Sequence, residues 1–126
     1  MKRTYTPPTV PLEDTEQRII FQWAAMETAA HPELGLLYAI PNGGKRAIKT
    51  AIALKAQGVK SGVPDMCLPV ARGEYHGLYI ELKRQRGGTV SDNQKEWIIA
   101  LIGQGYKAEV CRGAEEAIGT IKEYLQ

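Results

Sequence analysis

The chain has 126 residues, of which 44% are hydrophobic and 24% charged, the proportions of an ordinary soluble domain. Its formal net charge of +2 does not by itself indicate a nucleic-acid partner, and no apolar stretch approaches the roughly 20 residues that span a bilayer. The N-terminus lacks the apolar segment of a signal peptide and the two cysteines form no CxxC pair, so we expect a cytoplasmic protein with reduced thiols and without zinc or a membrane partner.

The first part of the chain predicts an arm, a helix and a strand. Residues 1–11 contain three prolines and are predicted to form an irregular arm, whereas residues 12–126 are predicted to form one domain. Apolar residues at spacings of three and four predict a helix over 12–30, with Glu16 on its inward face. A short apolar run predicts a strand over 36–40.

The rest of the chain continues the alternation of helices and strands. A helix is predicted over 47–57, with Ile48, Ile52 and Ala56 on one stripe, followed by strands over 66–70 and 75–83 joined as an antiparallel hairpin. The next predicted helix begins at a Ser91–Gln94 capping box and has Trp97, Ile98, Leu101 and Ile102 as its apolar face. A strand over 106–111 and a helix over 114–125 complete the predicted elements. This order predicts an α/β fold with a mixed central sheet flanked by helices.

The motif PD…ExK is the most informative feature of the sequence. Asp65 follows a Gly-Val-Pro turn, which holds its carboxylate on a rigid element. Glu81 and Lys83 share one face of a strand whose other face is apolar. Two carboxylates and a lysine in this pattern are typical of a site that holds a divalent metal such as Mg²⁺ beside a phosphodiester. Taken singly, Asp65 could cap its own turn and Glu81 could pair with Lys83 at the surface.

Two further side chains are candidates for the same site. Glu16 could complete the metal shell, directly or through water, or pair with a nearby basic residue, and its spacing favours neither. Gln94 has a structural role in the capping box and could also face the site.

Basic residues predict contacts with a polyanion. Five of them lie between residues 42 and 60, where there is no acid, and others directly follow Glu81. The alternative is that these are ordinary solvated faces. The candidate DNA contacts are Lys45, Arg46, Lys49, Lys60, Arg84 and Arg86.

Several motifs occur together in an order that resembles the VRR-NUC domain. They are Ile40-Pro41-Asn42-Gly43-Gly44, Gly58 to Asp65, Tyr79-Ile80-Glu81-Leu82-Lys83, Ser91-Asp92-Asn93-Gln94, Gly105-Tyr106 and Val110-Cys111-Arg112-Gly113. The VRR-NUC domain is a branch of the PD-(D/E)XK nuclease superfamily, found alone in bacteriophage proteins and as the nuclease domain of the Fanconi-anaemia-associated nuclease. The resemblance covers nearly the whole chain from Glu13 onward.

The resemblance implies a restriction-endonuclease-like core and a set of site residues. Mg²⁺ or Mn²⁺ would be bound by Asp65, Glu81 and the backbone carbonyl of Leu82. Glu16 would be the acid of the first helix, Lys83 the catalytic lysine and Gln94 a residue that faces the site.

The resemblance also implies an activity and a partner. Stand-alone viral members are similar to Holliday-junction resolvases and act as homodimers. We therefore expect a homodimeric, metal-dependent, structure-selective DNA endonuclease that cuts four-way or other branched DNA and needs no organic cofactor. If the protein is viral, it would act in the bacterial host cell. The alternatives are a flap or nicking nuclease, a catalytically silent nucleic-acid-binding module, and a structural protein whose carboxylates cap turns.

Overall fold

The computed structural model describes residues 9–41 and 48–126 and contains the predicted order of elements. The helices are α1 (Glu13–Glu27), α2 (Ile48–Ala56), α3 (Asp92–Gly103) and α4 (Ala114–Leu125), and the strands are β1 (Tyr38–Ala39), β2 (Met66–Leu68), β3 (Leu78–Lys83) and β4 (Lys107–Arg112). Strand β1 is shorter than predicted because a 3₁₀ turn, Pro32–Leu36, takes up the first part of that segment. Most of the predicted arm and residues 42–47 lie outside the described residues.

The four strands form one mixed sheet in the order β1-β2-β3-β4. β2 pairs antiparallel with β1 and with β3, which confirms the predicted hairpin. β3 pairs parallel with β4 over six residues, and α3 provides the crossover that a parallel connection requires. The sheet is therefore mixed, with β3 between an antiparallel and a parallel neighbour.

The core lies between one face of the sheet and helices α1 and α4. Leu82 of β3 is fully buried there and belongs to the same cluster as Ile20 of α1 and Ile121 of α4. Because successive side chains of a strand point to opposite faces, Glu81 and Lys83 face the other side of the sheet. Helix α3 lies on that side, since its Gln94 contacts Glu81.

Two predicted apolar stripes do not face this core. Ile48 and Ile52 of α2 are 79% and 63% exposed, and none of the α2 residues, all of which are described, is buried. Ile102, on the predicted apolar face of α3, is also exposed. Single apolar residues are common on protein surfaces, and a stripe at helical spacing predicts a helix better than it predicts what covers the helix.

Two expectations drawn from composition can be compared with the structure. Cys67 and Cys111 are buried free thiols, as predicted. Within residues 9–41 and 48–126, no helix has both the length and the apolar character needed to cross a membrane.

Candidate active site

Asp65 and Glu81 lie side by side where β2 begins. Asp65 directly precedes Met66, which pairs with Ile80, so the antiparallel register brings Asp65 next to Glu81. The backbone N–H of Leu82 donates a 2.7 Å hydrogen bond to Asp65 Oδ2. The Asp65 carboxylate is therefore fixed to the same strand that carries Glu81.

The Glu81 carboxylate is almost completely buried, with 2% of the residue exposed. Its Oε1 accepts a 2.8 Å hydrogen bond from Gln94 Nε2 and lies 3.6 Å from Lys83 Nζ. Its Oε2 is also buried and has no hydrogen-bond partner among the described residues. Buried polar atoms are nearly always hydrogen-bonded, so an oxygen in this state marks a place for a cation or an ordered water.

Both carboxylates are electrostatically destabilised in the charged form. Burial, followed by repulsion from Asp65, raises the pKa of Glu81 to about 8, although the Lys83 ammonium acts in the opposite direction. Burial is also the largest cause that raises the pKa of Asp65, and it is partly opposed by the Leu82 N–H. A divalent cation between them would remove the repulsion and favour both ionised forms.

Lys83 places a positive charge beside this pair. The residue is 7% exposed, and its ammonium lies near Glu81 Oε1. The Lys83 side chain is therefore held in a position where a phosphate group at the site would meet it.

Gln94 links the site to the start of helix α3. The predicted capping box is confirmed, because Gln94 N–H donates to Ser91 Oγ and Gln94 Oε1 accepts from the Ser91 N–H. The Nε2 of the same side chain donates to Glu81, so one amide both caps α3 and contacts the Glu81 carboxylate. Next to it, Asn93 Nδ2 donates a 2.8 Å hydrogen bond to the carbonyl of Ser61, in the loop that leads to Asp65.

Glu16 is buried as predicted, but its carboxylate contacts a different part of the molecule. Its Oε1 accepts a 2.9 Å hydrogen bond from Gln85 Nε2, and its Oε2 accepts from the backbone N–H of Ala114 at the start of α4. A carboxylate at a helix N-terminus is favoured by the exposed amides and the helix dipole. Both oxygens of Glu16 thus join the segment after β3 to helix α4.

Glu13 is an acid near the site that the sequence reasoning did not select. Its charge is one of the causes that raise the pKa of Asp65. Its Oε1 and the Cδ of Lys83 lie 4.0 and 3.9 Å from the position that a Cβ would occupy at Gly88, so both side chains lie next to Gly88. Glu13 precedes Glu16 by three residues on the same helical stripe, and this spacing was the signal that could have identified it.

The predicted DNA contacts are not equivalent in the structure. Lys49, Lys60 and Arg86 are exposed, whereas Lys45 and Arg46 lie outside the described residues. The guanidinium of Arg84 is already engaged, because it donates to the backbone carbonyls of Val10 and Pro11.

Among the described residues, no three histidine, cysteine, aspartate or glutamate side chains converge to form a metal cluster. The arrangement instead offers two carboxylates, Asp65 and Glu81, and one of them has a free buried oxygen. Magnesium commonly binds through one or two carboxylates and completes its shell with water and substrate phosphate oxygens. The donor set therefore fits such an ion.

The comparisons with known proteins agree with this geometry. PD stands directly before β2 and ExK lies on the neighbouring strand β3 of a mixed sheet, which is the pattern of the PD-(D/E)XK nucleases. The VRR-NUC domain model matches residues 11–115. A solved structure described as a "VRR_NUC domain protein" is 31% identical, with a TM-score of 0.80, and the match covers 93% of this chain and 90% of that chain. No curated protein matches. The chain belongs to the VRR-NUC family of nucleases, which confirms the predicted resemblance and fold.

Proposed function

We propose that this protein is a divalent-metal-dependent endonuclease that hydrolyses phosphodiester bonds in branched DNA and acts as a homodimer. The observation that supports a metal most directly is the buried pair of Asp65 and Glu81, in which Glu81 Oε2 has no hydrogen-bond partner among the described residues. Two observations support phosphodiester hydrolysis: Glu81 lies beside Lys83, and the chain belongs to a nuclease family.

Asp65, Glu81 and the backbone carbonyl of Leu82 would hold the ion. These are oxygen donors, which Mg²⁺ and Mn²⁺ prefer over the nitrogen and sulfur donors of zinc sites. When bound, a divalent cation polarises a phosphoryl oxygen and lowers the pKa of a water that can attack the phosphorus.

The chain's own side chains would orient the reaction. The Leu82 N–H fixes one oxygen of Asp65, and the Gln94 amide fixes one oxygen of Glu81. The other oxygen of Glu81 would be available to the ion. The Lys83 ammonium would stabilise the negative charge that develops on the phosphate or orient the attacking water. Fixed donors need little reorganisation when the charge develops.

The two acids of α1 would have different roles. Glu13, near Asp65 and Lys83, would contribute an acid to the site, directly or through a water. The carboxylate of Glu16 is satisfied by Gln85 and Ala114, so in our proposal it supports the site by joining β3 to α4.

Branched DNA is proposed on the basis of the resemblance to stand-alone VRR-NUC domains. A homodimer would present two sites to two strands of a junction, whereas a monomer would present only one. Exposed Lys49, Lys60 and Arg86 would contact the phosphate backbone and bring DNA to the acidic site. Lys45 and Arg46 remain predicted contacts.

Cleavage of a labelled DNA panel tests the proposal. Four-way junction, flap, single-stranded and linear duplex DNA are incubated with Mg²⁺, with Mn²⁺ or with a chelator. We expect cutting of branched DNA only with metal, and a loss of roughly 10²–10³-fold in rate for Lys83→Ala. Lys122→Ala is the matched control, because Lys122 is exposed on α4, across the sheet from Glu81.

The other outcomes separate the alternatives. Cutting of flaps or nicking of duplex DNA in preference to junctions would identify the flap or nicking nuclease. Tight DNA binding without cutting under any metal condition would identify a silent binding module. Equal cutting with and without the chelator would contradict the proposed metal dependence.

A further inference from the structure

Arg84 forms a clamp between the end of β3 and the chain that leads into α1. Its NH2 donates a 2.6 Å hydrogen bond to the carbonyl of Val10, and its Nε donates a 3.3 Å hydrogen bond to the carbonyl of Pro11. The two acceptors are neighbours in sequence, and the planar guanidinium can reach both because its donors are held in a fixed fork.

The clamp acts at a helix start that has no side-chain cap. The N-cap residue of α1 is Leu12, whose side chain cannot accept a hydrogen bond from the first-turn amides. The first backbone hydrogen bond of the helix runs from the Glu16 N–H to the Leu12 carbonyl, at 3.0 Å. Tethering residues 10 and 11 therefore restrains the turn that carries Glu13.

Arg84 itself rests on a restrained loop. Arg112 of β4 pairs with Lys83, and its NH1 donates to the carbonyls of Arg84 and Gly87 at 3.2 and 2.7 Å. Its NH2 donates to the carbonyl of Gly88 at 3.3 Å. The loop after Lys83 is thus tied to the sheet on one side and, through Arg84, to the start of α1 on the other.

We propose that Arg84 is a positioning residue that holds the first turn of α1, and with it Glu13, against Lys83 and Asp65. Its effect on cleavage rests on the proposed nuclease function, but the clamp itself does not. The sequence had assigned Arg84 to the DNA backbone, and the two roles predict different kinetics. Loss of a phosphate contact weakens DNA binding and reduces the slope of log affinity against log salt concentration by about one. A positioning residue changes the rate of the bound complex.

The test measures kcat, KM and amide hydrogen exchange in full-length variants. For Arg84→Ala we expect kcat to fall about 10- to 100-fold, while KM and the salt slope stay close to the wild-type values. Arg84→Lys keeps the charge but loses the two-point fork, so we expect kcat between those of the wild type and Arg84→Ala. Arg18→Ala is the control for loss of an exposed arginine on α1, and we expect no change in kcat.

Exchange of the first-turn amides provides a readout that does not depend on activity. We expect the Glu16 amide to exchange at least about tenfold faster in Arg84→Ala than in the wild type and Arg18→Ala, with α4 unaffected. Circular dichroism of each variant checks that it is folded. If Arg84→Ala does not fold, the comparison is made between Arg84→Lys and the wild type.

Each result decides between the roles. The clamp proposal would be overturned if Arg84→Ala had a raised KM, a normal kcat and unchanged amide exchange while Arg84→Lys behaved like the wild type. Arg84 would then be a phosphate contact. If the wild type cuts no DNA but exchange at Glu16 still rises only in the Arg84 variants, the nuclease proposal fails and the clamp stands.

Discussion

Replacement of Glu81 by glutamine should stabilise the metal-free protein, and increasingly so as the pH rises. The buried carboxyl has its pKa raised from the ordinary value of 4.5 to about 8, so the folded state binds a proton more tightly than the unfolded state does. Folding stability therefore falls as the pH rises between these two values. Glutamine has nearly the shape of the protonated carboxyl and cannot ionise, so it removes this loss.

The size of the effect follows from the pKa. Between the two pKa values Glu81 is protonated in the folded state and ionised in the unfolded state. Each pH unit in this range lowers the free energy of unfolding of the wild type by about 1.4 kcal/mol. Across the window the loss amounts to roughly 3–5 kcal/mol, and for a domain of this size each kcal/mol corresponds to about 4 °C in Tm. The difference between Glu81→Gln and the wild type should be small near pH 5 and largest above pH 8.

Urea unfolding of both proteins between pH 5 and pH 9, with a chelator present, measures this difference. Subtracting the two curves removes the contributions of titratable groups that are common to both proteins. A Glu81→Gln protein that is less stable than the wild type at pH 8.5, or a difference that does not depend on pH, would refute the reasoning.

Three further predictions concern the acids of α1 and the amide that holds Glu81. Glu13→Gln should lower the rate of metal-dependent cleavage about 10- to 100-fold with little change in stability, because Glu13 is exposed. Glu16→Gln should instead lower the free energy of unfolding by about 1–3 kcal/mol, because one of its two buried acceptors is lost. Cleavage kinetics and urea unfolding of both variants would show the reverse pattern if Glu16 were the site acid. Gln94→Glu keeps an acceptor for the capping box but places a second carboxylate against Glu81, so we expect Mn²⁺ affinity at pH 7 to fall at least about tenfold and to recover at higher pH. Unchanged Mn²⁺ affinity in calorimetry would contradict this.

The sequence was sufficient for the strands that build the site because the signals there are local. Alternation within residues 78–83 assigns Glu81 and Lys83 to one face, and the turn before Asp65 leads directly into β2. The capping box likewise needs only Ser91 and its partner three residues later. Each of these features depends on a few neighbouring residues, and each appears in the structure.

Features that depend on tertiary packing could not be predicted in the same way. The apolar stripe of α2 predicted a helix, but what lies against Ile48 and Ile52 is decided by the placement of the whole element. The inward position of Glu16 was predictable, yet its partners come from the segment after β3 and from α4. The charge of Arg84 predicted a phosphate contact, although its donors bind carbonyls more than seventy residues away in sequence.

The most direct test of the central claim is calorimetric titration of the protein with Mn²⁺ at a pH above 8, where Glu81 can ionise. We predict binding by the wild type and by Glu123→Gln, which removes an exposed acid of α4, and a loss of at least about tenfold in affinity for Asp65→Asn and for Glu81→Gln. If both site variants bind Mn²⁺ as tightly as the wild type, Asp65 and Glu81 do not hold the metal and the account of the site is wrong.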